Sequence, residues 1–186
     1  MQITETRFPG LFVIQPSVFE DQRGYFYESY NRKVFTHAGI DVQFVQDNQS
    51  KSNYGVIRGL HYQLNPMAQA KLVRVLEGKV QDVVVDIRKG SPTYGESYSI
   101  ELSAENKTQL FIPRGFAHGF AVLSESAVFF YKCDNFYSKE HEAGIAYDDP
   151  ALAIEWKLSD EVISLSEKDG QLPALADCRN NFNFQP

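Results

Sequence analysis

Short apolar runs broken by turn residues dominate the chain up to about Tyr147. The first, Leu11 to Ile14, is bounded by Pro9-Gly10 and Pro16 and predicts an edge strand. Asp21 to Gly24 reads as a turn, with an aromatic strand from Tyr25 to Tyr30 behind it. Asn31 suits the N-cap of a short helix ending near Gly39. After a loosely alternating stretch from Val42 to Gln49, strands are predicted over Ile57–Gln63, Ala70–Leu76 and Val80–Ile87, with a tight turn at Gly78-Lys79 joining the last two. Four more follow over Tyr98–Leu102, Thr108–Ile112, Ala117–Leu123 and Ala127–Cys133. Short strands at this spacing predict an all-β sandwich or barrel rather than βαβ units. Beyond Tyr147 the character changes: Asp148-Asp149-Pro150 is a turn, Ser159 to Leu165 opens on a weak capping signature, and the tail reads as loops and short helices.

Composition narrows the picture. A length of 186 residues suits one domain spanning 1–186. The net charge of −6 argues against non-specific binding to nucleic acid. The N-terminus MQITETRFPG lacks a basic region followed by an apolar one, and no apolar run approaches the length of a membrane span. Two cysteines, Cys133 and Cys178, do not make a disulfide framework, so a reduced cytoplasmic setting is expected.

The most informative stretch runs from Gly55 to Gly78. It resembles the metal-binding motif of a cupin, Gly-x5-His-x-His followed by Glu-x6-Gly, with the metal chemistry removed. His61 keeps the first histidine, Gln63 takes the second, and Lys71 stands in place of the glutamate. The segment Pro113 to His118 matches the second cupin motif, Pro-x-Gly-x-x-His. An ammonium where a ligand carboxylate would sit repels a divalent metal and attracts an anion or a developing negative oxygen. Lys71, in an otherwise apolar strand, is expected to line a cavity. Arg58, His61 and Gln63 cannot share one face of a regular strand, and Gly59 is placed to host a bulge that re-aims Arg58. Asp82 either faces inward to orient a cation or lies on the solvent face. His118 is either a donor in the pocket or the remnant of a lost metal site. A tyrosine such as Tyr131 is by default a structural residue with a polar end to satisfy.

Longer motifs cover nearly the whole chain: FxDxRGxFxExY from Phe19 to Tyr30, FVQDNQSxS from Phe44, GVIRGLHYQ from Gly55, KLVRVLxGxVxDVxVDIR from Lys71, IPxGFAHGF from Ile112 and LSEKD from Leu165. With these the chain resembles the dTDP-4-dehydrorhamnose 3,5-epimerase family. The resemblance implies a cupin-type double-stranded jelly roll with a few short helices, mainly near the C-terminus, and a homodimer with no cofactor and no metal. It implies His61 as general base with Asp169 as its carboxylate partner, Tyr131 as general acid on the opposite face of the sugar, and Lys71 as the group that stabilises the enolate. It implies contacts to dTDP-4-dehydro-6-deoxyglucose from Arg23, Glu28, Gln46, Asp47, Asn48, Arg58, His118, Glu142 and Lys168, and stacking of Tyr137 on the thymine. Phe19 and Phe26 are expected to help wall the site.

The chemistry is coherent. A C4 ketone acidifies the hydrogens on C3 and C5, and an imidazole, with an ordinary pKa of about 6.5, suits their removal. Three other readings compete with it: an epimerase acting on C3 or C5 alone, which would use the same residues; a catalytically silent cupin that binds a sugar nucleotide or a protein; and a metal-dependent cupin oxygenase. The oxygenase needs ligands where Gln63 and Lys71 stand. A silent module has no reason to keep base, partner, acid and cation together.

Overall fold

A computed structural model describes residues 1–185. Among the described residues thirteen strands are present: β1 (Gln2–Glu5), β2 (Phe12–Gln15), β3 (Phe19–Asp21), β4 (Gly24–Phe26), β5 (Gln46–Asn53), β6 (Ile57–Gln63), β7 (Lys71–Glu77), β8 (Lys79–Asp86), β9 (Ser97–Ser103), β10 (Gln109–Ile112), β11 (Phe116–Val122), β12 (Ser126–Cys133) and β13 (Glu142–Gly144). They form a six-stranded antiparallel sheet in the order β1-β2-β10-β7-β12-β5, a five-stranded antiparallel sheet in the order β13-β6-β11-β8-β9, and the separate hairpin β3-β4. The two large sheets face each other as the cupin-type jelly roll expected from the sequence. Inward-facing side chains alternate along each strand, so Val73, Val84, Leu110, Phe120 and Phe129 share the apolar filling between the sheets.

Two smaller cores close the outer faces. Leu60, Tyr62, Val83, Val85 and Phe182 bury the back of the five-stranded sheet under the C-terminal segments. On the other side, the helix α1 (Arg32–His37) packs Phe35 against Ile14, Leu72 and Phe111. Asn31 caps that helix as expected, its side chain accepting from the Lys33 N–H at 3.0 Å.

Several boundaries differ from expectation for physical reasons. The run Leu11–Ile14 is not an edge, because β1, too polar to be read as a strand, pairs along the outside of β2. The aromatic stretch Tyr25–Tyr30 is a strand only to Phe26, since the hairpin has no further partner to pair with. Gly78 does not close a hairpin: β7 and β8 belong to opposite sheets, and Gly78, at φ +75°, carries the chain between them. Ser159 gives no side-chain cap, and only the single 3-10 turn Asp160–Val162 forms there. Two further 3-10 turns, Pro150–Leu152 and Asp169–Gln171, account for the short helices of the tail.

Candidate active site

The site lies inside one end of the sandwich, and the bulge foreseen at Gly59 sets its geometry. Between the pairs His118–His61 and Phe120–Arg58 the register advances two residues on β11 and three on β6. Gly59 has φ +121°, and a Cβ there would lie 2.6 Å from Gly119 Cα, so only glycine lets the two strands pass this closely. The extra residue brings Arg58 and His61 to one cavity of about 300 Å³, whose wall also includes Lys71, His118, Tyr131 and Asp169. An adjoining cleft of about 110 Å³ shares His61, Lys71 and Tyr131 and adds Tyr137 and Glu142.

His61 and Asp169, 108 positions apart in sequence, meet at 2.5 Å between Nε2 and Oδ1. This contact depends on a strap formed by the segment after Ser159. The strap bridges to the chain ahead of β6 through Ser164 N–H to Gly55 O (2.9 Å) and Ile57 N–H to Ser164 O (3.0 Å). Burial works against the charge on Asp169, but the His61 ring and the Ser166 hydroxyl outweigh it and hold the carboxyl below its usual range. Asp169 thus orients a ring whose other nitrogen, Nδ1, is free to take a proton.

Lys71 and Tyr131 enter the cavity from the six-stranded sheet, opposite His61 on the five-stranded one. The Lys71 ammonium lies 5.8 Å from the centroid of the Tyr131 ring. It has no ion pair or hydrogen bond among the described residues, and burial pushes its pKa down. Burial also raises the Tyr131 phenol, which is a protonated donor at neutral pH. Asp82 faces inward, fully buried, 2.9 Å from His118 Nε2. Burial lowers the pKa of His118 against the opposing pull of that carboxylate.

The rim carries most of the remaining expected residues. Gln46 and Asn48 project from the same face of β5 and bond each other at 3.1 Å. Gln46 Oε1 accepts from the Tyr137 N–H at 3.0 Å, and the Tyr137 hydroxyl donates to Glu142 at 3.0 Å. Glu142 pairs with Lys168 of the strap at 2.5 Å. Three expected residues are not brought here. Asp47 alternates to the outer face and pairs there with Lys132. Arg23 sits in the β3-β4 hairpin against Asp21, and Glu28 accepts from Asn31. Phe19 and Phe26 likewise stay out in solvent, 66% and 71% exposed. Ser50 and Ser166, not singled out beforehand, line the cavity; for Ser50 the signal was its two-residue alternation with Gln46 and Asn48. Gln63, in the vacated histidine position, braces the Tyr137 loop by donating to Met67 O and Phe136 O and accepting from the Ser138 N–H. Among the described residues no cluster of three or more His, Cys, Asp or Glu side chains could hold a metal, and no helix is long and apolar enough to cross a membrane.

Residues 5–177 match the profile of the dTDP-4-dehydrorhamnose 3,5-epimerase family. A dTDP-4-dehydrorhamnose 3,5-epimerase of Shigella flexneri is 55% identical over 95% of this chain and 98% of its own. The crystal structure of a dTDP-4-dehydrorhamnose 3,5-epimerase from Elizabethkingia anophelis NUHP1 superposes with a TM-score of 0.91 at 56% identity, covering 95% of this chain and 97% of that one. A dTDP-6-deoxy-D-glucose-3,5-epimerase from Legionella pneumophila Philadelphia 1, in complex with dTDP-4-keto-L-rhamnose, gives 0.90 at 50% identity, covering 95% and 93%.

Proposed function

The chain belongs to the dTDP-4-dehydrorhamnose 3,5-epimerase family, and on that premise we propose how its side chains invert C3 and C5 of dTDP-4-dehydro-6-deoxy-D-glucose to give dTDP-4-dehydro-L-rhamnose. One observation carries the assignment: the histidine–carboxylate pair and the phenol enter one cavity from opposite sheets. Inversion requires that difference of side, because the proton must leave one face of the sugar and return to the other.

His61 takes the proton from the carbon beside the C4 ketone, and the C–H electron pair moves onto the carbonyl oxygen as an enolate. Asp169 stabilises the imidazolium that results. Lys71 places its ammonium where the oxygen becomes negative, an interaction worth about 3–4 kcal/mol if it equals a typical oxyanion donor. Tyr131 then gives its proton to the opposite face, and exchange with solvent resets the phenol and the imidazole. The same cycle at the second carbon completes the product. Arg58, His118 and Lys168 supply donors for the diphosphate and sugar, with Gln46, Asn48 and Glu142 at the rim and Tyr137 offering its exposed ring to the thymine.

A homodimer is part of the proposal. The β3-β4 hairpin pairs with neither large sheet and projects with Phe19, Tyr25 and Phe26 more than half exposed, touching the sandwich where the Lys107 ammonium lies 4.3 Å from the centre of the Tyr25 ring. A second copy that received this hairpin at its cavity mouth would bury those aromatics and bring Arg23 and Glu28 to substrate. A cytoplasmic setting is supported by the two free thiols, Cys133 and Cys178. To test the activity, exhaustively chelated protein is incubated with the substrate and the product is read by NMR. Inversion at both carbons is expected; inversion at one would make it a single-carbon epimerase, and dependence on added metal would contradict the cofactor-free reading.

A further inference from the structure

Gln63 takes the position of the second histidine in the cupin metal motif, and its amide is fully engaged elsewhere. It lies two residues beyond His61 on the same face of β6, 5% exposed, at the edge of the smaller cleft. Both amide hydrogens are donated, to Met67 O at 2.6 Å and to Phe136 O at 3.1 Å. Its Oε1 accepts from the Ser138 N–H at 2.6 Å. Two carbonyls and one N–H around a single amide fix which end is oxygen and which is nitrogen. No N–H of Gln63 is left to donate to a substrate.

Two of those three partners, Phe136 O and Ser138 N–H, lie on either side of Tyr137. Gln63 thus grips the chain around Tyr137 much as a neighbouring strand would. Tyr137 is fixed at two more points: Gln46 accepts from its N–H at 3.0 Å, and its hydroxyl donates to Glu142 at 3.0 Å. Glu142 stands directly opposite Gln63 in the pairing of β13 with β6. Gln69 holds the same loop only at its start, donating to Asn135 O at 2.8 Å. For all this fixing, the Tyr137 ring is 57% exposed. A ring held at the backbone on both sides and at its own hydroxyl offers a flat ligand a surface that is already ordered.

We propose that Gln63 is a positioning residue for the nucleotide: it orders the Tyr137 loop in advance, and so sets affinity for the base without itself touching substrate. The proposal rests on the reading of Tyr137 as the residue that stacks on thymine. Only a primary amide meets two carbonyls and an N–H at once. A neutral histidine has one donor and one acceptor, a glutamate has acceptors alone, and a methionine fills the volume and bonds nothing comparable. Without the amide, the loop keeps its ties to Gln46 and Gln69 but must be ordered each time a nucleotide binds, which weakens binding. Among the described residues neither His61 nor Tyr131 bonds this loop through its side chain, so proton transfer in the bound complex does not depend on it.

The test is a double-mutant cycle of Gln63→Met and Tyr137→Ala, read by calorimetric titration with dTDP and by steady-state kinetics. Gln63→Met should weaken dTDP binding by about three- to tenfold, the effect of ordering a side chain or two on binding. KM for the sugar nucleotide should rise with it while kcat stays near the wild-type value. Tyr137→Ala should weaken dTDP by about tenfold or more, as loss of a base–aromatic stack does. On the Tyr137→Ala background, Gln63→Met should add little. Inorganic pyrophosphate, which has no base, should bind wild type and Gln63→Met alike. Unchanged dTDP affinity in Gln63→Met overturns the proposal. So do losses that simply add in the double variant, an equal loss for pyrophosphate, or a fall in kcat with KM unmoved. Should Gln63→Met not fold, Gln63→His, which keeps one donor and one acceptor, takes its place in the cycle under the same criteria. Unchanged dTDP affinity in Tyr137→Ala would instead remove the stacking reading, and the positioning role with it.

Discussion

Gly55→Ala tests whether the strap is what delivers Asp169 to His61. Gly55 has φ +82°, and a Cβ built on it would overlap the Val162 carbonyl oxygen, a backbone atom of the strap. Alanine in this left-handed region costs about 1–2 kcal/mol. Relieving the overlap means moving the strap off β6, which weakens the two bridging bonds at Ser164, each worth about 1 kcal/mol. The sum is about 3–4 kcal/mol, a fall in melting temperature of roughly 10 °C for a chain of this size. Activity should suffer separately, because Ser166, Lys168 and Asp169 ride on the displaced segment; a shift of about 1 Å can cost roughly 100-fold in kcat. The control is Gly39→Ala, also at positive φ (+87°) but with nothing within 4 Å of the new Cβ. It should lose only the backbone contribution and keep full turnover. Calorimetry and steady-state rates on both variants decide the matter. If Gly55→Ala matches Gly39→Ala in both stability and rate, the strap is not held through this contact and the reasoning fails.

Two further predictions follow from single groups. Tyr131→Phe should keep measurable deuterium uptake from solvent at C3 or C5, since His61 still forms the enolate, yet lose most of the inverted product; equal losses of exchange and inversion would give the hydroxyl a role in enolate formation instead. Asp86 is held below the usual carboxylate range: burial opposes its charge, but Arg88, Ser91 and Thr93 outweigh it. A depressed native pKa means this stabilisation is present above the unfolded value of about 3.9 and is lost as pH falls through the native one. Asp86→Asn should therefore cost roughly 3 kcal/mol in denaturant at pH 7 and flatten the acid limb of the stability profile, whereas an unchanged limb would place the acid-labile charge elsewhere.

Much of the sandwich was legible because strands with one buried face carry a period of two, and β6 to β12 lie within a residue or so of their expected bounds. Short polar strands were not legible: β1 and β13 are strands because a neighbour supplies hydrogen bonds, not because their residues favour it. The Gly59 bulge followed from a local conflict, three polar side chains on one strand with a glycine among them. The strap did not, since Ser159 to Asp169 carries no periodicity and takes its course from Gly55, more than a hundred residues earlier. The pairing of His61 with Asp169 came from family resemblance alone for the same reason. Alternation along β8 allowed Asp82 to face either way, and it took the position of His118 on β11 to show which. Arg23 lies away from the cavity because its hairpin pairs with neither large sheet, and Glu28, just beyond the hairpin, bonds Asn31 instead.

The central claim is that His61 is the base at both carbons, and solvent exchange tests it most directly. Wild-type protein and His61→Ala are incubated with dTDP-4-dehydro-6-deoxy-D-glucose in deuterated water, with nucleotide binding measured alongside. The account predicts deuterium at C3 and C5 with the wild type, none above background at either carbon with His61→Ala, and retained binding of the nucleotide. Deuterium uptake by His61→Ala at the wild-type rate, at either carbon, would contradict it and require another base in the cavity.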